Sequence, residues 1–124
     1  MEITPIATVG RQVIEAYRPG RFRVSGVDYE TSVIVTPERT LPWDVEPDSD
    51  FLSQHFATVI EADPPLDVLL IGCGSRLTRI PKPVREGLRE AGIGADAMDT
   101  GAACRTYNVL VSEGRRVAAA LIAL

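Results

Sequence analysis

Histidine, cysteine and long apolar runs are all scarce in this chain, and each shortage removes a class of function. One histidine and two cysteines occur in 124 residues. His55, Cys73 and Cys104 are far apart and show no C-x-x-C spacing, so they supply too few ligands for a zinc site. A thiol nucleophile needs a neighbouring base. His55 falls on a segment that reads as helix, beside Leu52 and Val59, where a packing or surface role suits it better. Paired carboxylates are equally thin. Asp96 and Asp99 lie on an extended segment three positions apart, which turns their side chains to opposite faces. No catalytic residue, metal or cofactor is therefore expected. The plain reading of the two cysteines is as small buried hydrophobes in a reducing compartment.

The longest apolar run, Val117 to Leu124, is far below the ~20 residues of a membrane-spanning helix. The opening Met1-Glu2-Ile3-Thr4-Pro5 lacks the charged-then-apolar layout of a secretory signal. A cytoplasmic protein without a membrane span is the expectation. Thirteen basic against 17 acidic side chains give a net charge of -4, which argues against nucleic acid as the main partner. Repeats and low-complexity segments are also missing. What is present suits one globular domain over residues 1–124: 45% hydrophobic and 24% charged residues are ordinary proportions. A chain of this size buries roughly two-thirds of its unfolded surface, enough for a core without metal or disulfide staples.

The N-terminal half reads as short strands with turn punctuation. Val13 to Tyr17 precedes Arg18-Pro19-Gly20; Phe22 and Val24 alternate with Arg21 and Arg23; Ser25-Gly26 turns the chain; Thr31 to Val35 and Thr40 to Trp43 follow. Periodicity then changes. Asp48 or Ser49 can cap a helix with Leu52, Phe56, Val59 and Ile60 on one face, stopped by Asp63-Pro64-Pro65. Asp67 to Gly72 is a continuous apolar run ending in glycine, the pattern of a parallel strand covered on both faces. Pro81 suits the first turn of a helix with Val84, Leu88 and Ala91 as its stripe. Ala95 to Asp99 is the next strand. Thr100 can cap a third helix with Ala103, Thr106, Tyr107 and Leu110 inward, ended by Gly114. The alanine-rich tail from Arg116 is read as a buried strand, since β-α-β-α-β then closes as right-handed crossovers. The result is an α/β fold: a mixed central sheet, antiparallel N-terminal strands and a C-terminal β-α-β-α-β.

Two segments could carry chemistry. In Ile71-Gly72-Cys73-Gly74-Ser75-Arg76, the glycines permit a sharp turn and a close approach by a ligand. A dinucleotide fingerprint fails because Leu77 stands where a third glycine is needed, and a phosphate loop fails for want of Gly-Lys-Ser/Thr. A tight structural turn and a small-ligand contact both remain open. The second segment, Asp99 to Asn108, follows another strand and so lies at the same sheet edge. Its helix N-terminus favours anions, and Arg76, Arg79 and Arg105 can add charge. Plain capping by Asp99 or Thr100 is the competing account. Cys104 and Asn108 share a helix face. The candidate ligand- or partner-binding residues are Gly72, Gly74, Arg76, Asp99, Thr100, Cys104, Arg105 and Asn108. Of the rest, Glu113-Gly114-Arg115-Arg116 reads as a solvated turn and Trp43 as a residue packed between layers.

Phe22-Arg23-Val24-Ser25-Gly26, Ser32-Val33-Ile34-Val35, Trp43, Leu70-Ile71-Gly72-Cys73-Gly74, Met98-Asp99-Thr100 and Ala103 to Leu110 occur in order, followed by Glu113 to Leu121. Together they resemble a family of small proteins of unknown function, over nearly the whole chain after Val13. That family includes the mitochondrial respiratory complex I assembly factor 3 and an adipogenesis-associated cytosolic protein. The resemblance implies a three-layer β/β/α fold and no agreed catalytic residues. Its glycine turn lands on Gly72 and Gly74, and its second signature on Asp99, Thr100, Cys104, Arg105 and Asn108. Cys73 stands where the family's usual residue is threonine, which weakens Cys73 as an essential thiol. The implied function is a non-catalytic interaction module, an accessory or assembly factor for a respiratory or membrane complex. Its expected partner is another protein, with self-association as a further option. The alternative is a small-anion-binding protein or enzyme using the crevice between Gly72-Arg76 and Asp99-Asn108.

Overall fold

A computed structural model of the chain describes residues 10–45, 51–74 and 79–123. The first three strands, β1 (Ile14–Arg18), β2 (Arg21–Val24) and β3 (Val27–Tyr29), form an antiparallel sheet in that order. Phe22 and Val24 turn inward while Arg21 and Arg23 face out, as the alternation requires. Ser25 and Gly26 both have positive φ, 45° and 84°. That is the backbone of a primed hairpin turn, whose twist matches the strands it joins. β3 has no counterpart in the sequence reading, because it is short and Val27 and Asp28 are exposed. An apolar pattern cannot betray a strand that buries so little.

Five more strands build the central sheet: β4 (Val33–Val35), β5 (Thr40–Pro42), β6 (Val68–Gly72), β7 (Gly94–Met98) and β8 (Val117–Leu121). Their order is β5-β4-β8-β6-β7. β6 runs parallel to β7 and β8, and β4 runs antiparallel to β5 and β8. The sheet is thus mixed, and the alanine-rich tail is its central strand. Between the parallel strands lie α2 (Lys82–Glu90) and α3 (Thr100–Ser112), with the short α1 (Ala57–Ile60) earlier in the chain. The path steps from β6 out to β7, then back across β6 to β8. Crossovers of one hand then place α2 and α3 on opposite faces.

Packing follows that division. One face joins Leu69, Ile71, Ala118 and Ala120 to Val84 and Leu88 of α2 and to the Trp43–Phe51–Phe56 cluster. The other joins Leu70, Val117, Ala119 and Leu121 to Ala103, Cys104, Tyr107 and Val111 of α3, and to Ile14, Phe22 and Val24 of the three-stranded sheet. The layers are therefore α2 with α1, the five-stranded sheet, and the three-stranded sheet with α3 beside it. This is the three-layer β/β/α arrangement.

The helix expected after Asp48 or Ser49 is much shorter than its apolar pattern suggests. Both capping candidates lie outside the described residues. Leu52 is extended (φ -116°, ψ 155°), and a 3-10 turn over Ser53–Phe56 leads into α1. Leu52 and Ile60 are exposed, whereas Phe51 is buried. The reason is aromatic: Phe51 and Phe56 sit 5.8 and 5.6 Å from the Trp43 ring. Drawing Phe51 inward turns its neighbour Leu52 out. Among the described residues no helix is long and apolar enough to cross a membrane.

Candidate functional site

Asp99 sits at the end of β7 with extended backbone, and its carboxylate accepts the Ala102 N–H at 2.8 Å. It is the N-cap of α3, and it neutralises one of the donors a helix start leaves free. Thr100, the next residue, is buried and ties three chain segments together. Its hydroxyl accepts the Gly74 N–H at 2.9 Å and donates to the Ile122 carbonyl at 3.2 Å. Its own N–H donates to the Gly74 carbonyl at 3.0 Å. The ends of β6 and β8 are thereby stitched to the start of α3.

Gly72 explains how they come so close. A Cβ there would lie 2.9 Å from Leu121 Cδ2, 3.1 Å from Thr100 Cα and 3.2 Å from Ala103 Cβ. The missing side chain admits the helix. Gly74 has φ +80°, and both its peptide groups toward α3 are spent on Thr100. Arg76 lies outside the described residues; Arg79 is exposed.

Further along α3, the polar residues turn toward β1. Asn108 Nδ2 donates to the Ile14 carbonyl at 2.7 Å, and its Oδ1 accepts the Ile14 N–H at 2.9 Å. Arg105 donates to the Tyr17 hydroxyl at 2.7 Å, and Tyr17 in turn lies over Gly101. Tyr107 is fully buried, and its hydroxyl donates to the Gln12 carbonyl at 2.9 Å. Between the two elements runs an open cleft of about 340 Å³, lined by Glu15, Ala16 and Tyr17 of β1 and by Cys104, Arg105 and Asn108 of α3.

Cys104 is 2% exposed. Burial pushes its thiol up to about 12, with Arg105 opposing and Asp99 adding to the rise. At neutral pH it is a protonated, apolar side chain rather than a nucleophile. Cys73 is also buried, and its thiol donates to the Ile71 carbonyl at 3.7 Å. His55 Nδ1 accepts the Leu52 N–H at 2.9 Å and its carbonyl accepts Trp43 Nε1 at 2.8 Å, so it holds the 3-10 turn. Among the described residues no group of three or more His, Cys, Asp or Glu is placed to hold a metal.

Of the candidate residues, Gly72, Gly74, Asp99 and Thr100 therefore gather at one junction. Cys104, Arg105 and Asn108 gather along the β1–α3 cleft. Sequence reasoning missed Tyr17, whose signal was an aromatic side chain at the end of a short strand. It also missed Arg116. Read as part of a solvated turn, Arg116 instead donates to the Pro64 carbonyl at 2.7 Å and the Pro65 carbonyl at 3.3 Å, and pairs with Glu38. The hydrogen bond to Glu38 raises its pKa further, against a smaller opposing effect of burial.

Comparison with known proteins identifies the arrangement. The model of a family described as a protein of unknown function, DUF498/DUF598, matches residues 14–122. An uncharacterised protein of Rhodobacter capsulatus is 36% identical over 113 residues, 91% of this chain and 86% of that protein. The zebrafish (Danio rerio) NADH dehydrogenase [ubiquinone] 1 alpha subcomplex assembly factor 3 is 36% identical over 110 residues, 89% of this chain. The chain spans 63% of that factor's length. The crystal structure of a protein described as an outer membrane protein from Bartonella henselae superposes with a TM-score of 0.84 at 40% identity, covering 92% of this chain and 96% of that one. The resemblance drawn from the sequence motifs is borne out, both in family and in fold.

Proposed function

The chain belongs to this DUF498/DUF598 family of unknown function, and we propose that it is a non-catalytic interaction module, an accessory or assembly factor for a respiratory or membrane complex. One observation carries the reading: the polar groups of the family's most distinctive segment are spent within the fold. Asp99 caps its own helix, Thr100 bonds Gly74 and Ile122, and Asn108 bonds Ile14. Cys104 is buried and protonated. Such a segment builds a rigid surface and offers no nucleophile beside a base. The zebrafish relative, named as an assembly factor, supports the same setting, and on this reading the chain is cytoplasmic and acts on a protein partner.

Affinity purification from the native cell at endogenous level tests this. Reproducible recovery of the same partner is the expected result; repeated recovery of the chain alone would overturn it. Light scattering on the purified protein reads self-association separately.

Small-anion binding at the Gly72-Arg76 and Asp99-Asn108 junction is the weaker reading. The Asp99 carboxylate already occupies the helix start and would repel an anion there. A thermal-shift panel of phosphate, sulfate and dicarboxylates decides it, since a ligand at a hundred times its Kd stabilises by about 2.7 kcal/mol. A shift lost in Arg105→Ala would move the function to anion binding.

A further inference from the structure

β7 is an outer strand of the five-stranded sheet, and among the described residues nothing pairs with its far edge. The Gly94 N–H donates to Asp67, and the Met98 carbonyl accepts from Cys73. Gly94, Asp96 and Met98 therefore spend their peptide groups on β6, and the alternation of a parallel ladder turns those of Ala95 and Ala97 outward. A bare edge is a template for a further strand. The usual safeguards are thin here: β7 reads Gly-Ala-Asp-Ala-Met, with one charge and no proline.

A basic groove flanks that edge. A cleft of about 340 Å³ is lined by Arg85 and Arg89 of α2 together with Gly92, Ile93, Gly94 and Ala95. Both arginines are exposed, one turn apart, and neither belongs to an ion pair among the described residues. Of the neighbouring acids, Glu86 pairs with Lys82 at 3.9 Å, and Glu90 follows Arg89 on the helix. Asp96 points to the face opposite Ala95 and Ala97. Ala95 and Ala97 pack against the α2-side core, so a strand added beside them turns every second side chain toward α2. Such side chains repeat at about 6.6–6.8 Å, close to the roughly 5–6 Å between Cβ atoms one helical turn apart. Carboxylates at alternate positions match the two arginines.

We propose that the free edge of β7 takes an extended acidic segment of a partner protein as an added strand, with carboxylates at alternate positions held by Arg85 and Arg89. This rests on the interaction-module reading and supplies the chemistry of its partner. A second copy of the chain fits less well. Antiparallel pairing of two β7 edges sets both α2 helices on one face, with their arginines toward each other.

The probe is a short fluorescein-labelled peptide alternating valine and glutamate, followed by anisotropy at low salt, with a valine–lysine peptide as control. Saturable binding of the glutamate peptide alone is expected. The double variant Arg85→Glu, Arg89→Glu should weaken it about tenfold or more, given two lost pairs and two new repulsions. Amide NMR should place the perturbation at Ala95 and Ala97. Equal affinity for the double variant, or perturbation centred on β3 or β5 instead, overturns the assignment. The variant removes only exposed side chains, so an unchanged melting curve is expected. Co-purification with both baits separates the two levels of the argument. A partner retained equally by the double variant overturns the edge and leaves the interaction reading standing. No partner on either bait removes that reading, and the edge proposal falls with it.

Discussion

Asn108 holds Ile14 by both of its backbone groups: the carboxamide donates to the carbonyl at 2.7 Å and accepts the N–H at 2.9 Å. The side chain of a helix thus does for β1 what a neighbouring strand would do. It locks the outer edge of the three-stranded sheet to α3, across 94 residues of sequence.

Asn108→Ala leaves that N–H and carbonyl partly buried and unmet. An unsatisfied group costs about 1–3 kcal/mol, so a loss of roughly 2 kcal/mol is expected in urea denaturation. An unchanged midpoint would mean that water replaces the carboxamide fully.

Two glycine substitutions should behave in opposite ways. Gly72→Ala drives a Cβ to 3.1 Å from the Thr100 backbone and 2.9 Å from Leu121. Both neighbours are buried in the core, so a loss of about 1–3 kcal/mol follows from overpacking. In Gly101→Ala the nearest atom is the Tyr17 hydroxyl at 2.9 Å, the far end of an exposed side chain that can swing away. Helix propensity favours alanine by up to about 1 kcal/mol, so stability should hold or rise slightly while the Arg105–Tyr17 bond is disturbed. Paired thermal melts check both.

The Cys104 thiol links stability to alkaline pH. Its folded pKa, about 12, lies above the ordinary 9.0, so the folded state keeps a proton that the unfolded chain releases. That contribution is complete below pH 9 and is lost as pH rises toward 12. Tyr107, also raised by burial and by Glu38, adds a second decline at higher pH. Cys104→Ala should flatten the fall in urea midpoint between pH 8 and about pH 11, leaving the Tyr107 part. An identical fall in the variant would assign it elsewhere. Native Cys104 should also resist iodoacetamide at neutral pH until the protein unfolds.

Much of the architecture was legible because burial in β6, α2, α3 and β8 leaves a period in the sequence. Leu69 to Gly72 is buried on both faces and reads as a continuous run; Val84 and Leu88 read as a stripe. β3 left no such trace, and the segment after Asp48 misled because one aromatic, Phe51, outcompeted the helical stripe of Leu52. The candidate site was harder. Polar residues at 99–108 were visible, but their partners are backbone groups of β1, Gly74 and Ile122, brought close only by the tertiary fold. Tyr17 and Arg105 are 88 positions apart, and no local pattern announces that they meet.

β8 lies between β4 and β6, and among the described residues it alone joins the antiparallel and parallel parts of the central sheet. A ribosome-bound chain that has not yet exposed residues 117–121 can form the β4–β5 hairpin and the β6–β7 pair, but not connect them. Each carries a bare inner edge until β8 slides between them. Closure brings together Val35 and Ala119, a pairing of long sequence separation, and such pairings slow folding and prolong exposure to aggregation. The two strand pairs are therefore shielded from pairing with other chains only once β8 is in place.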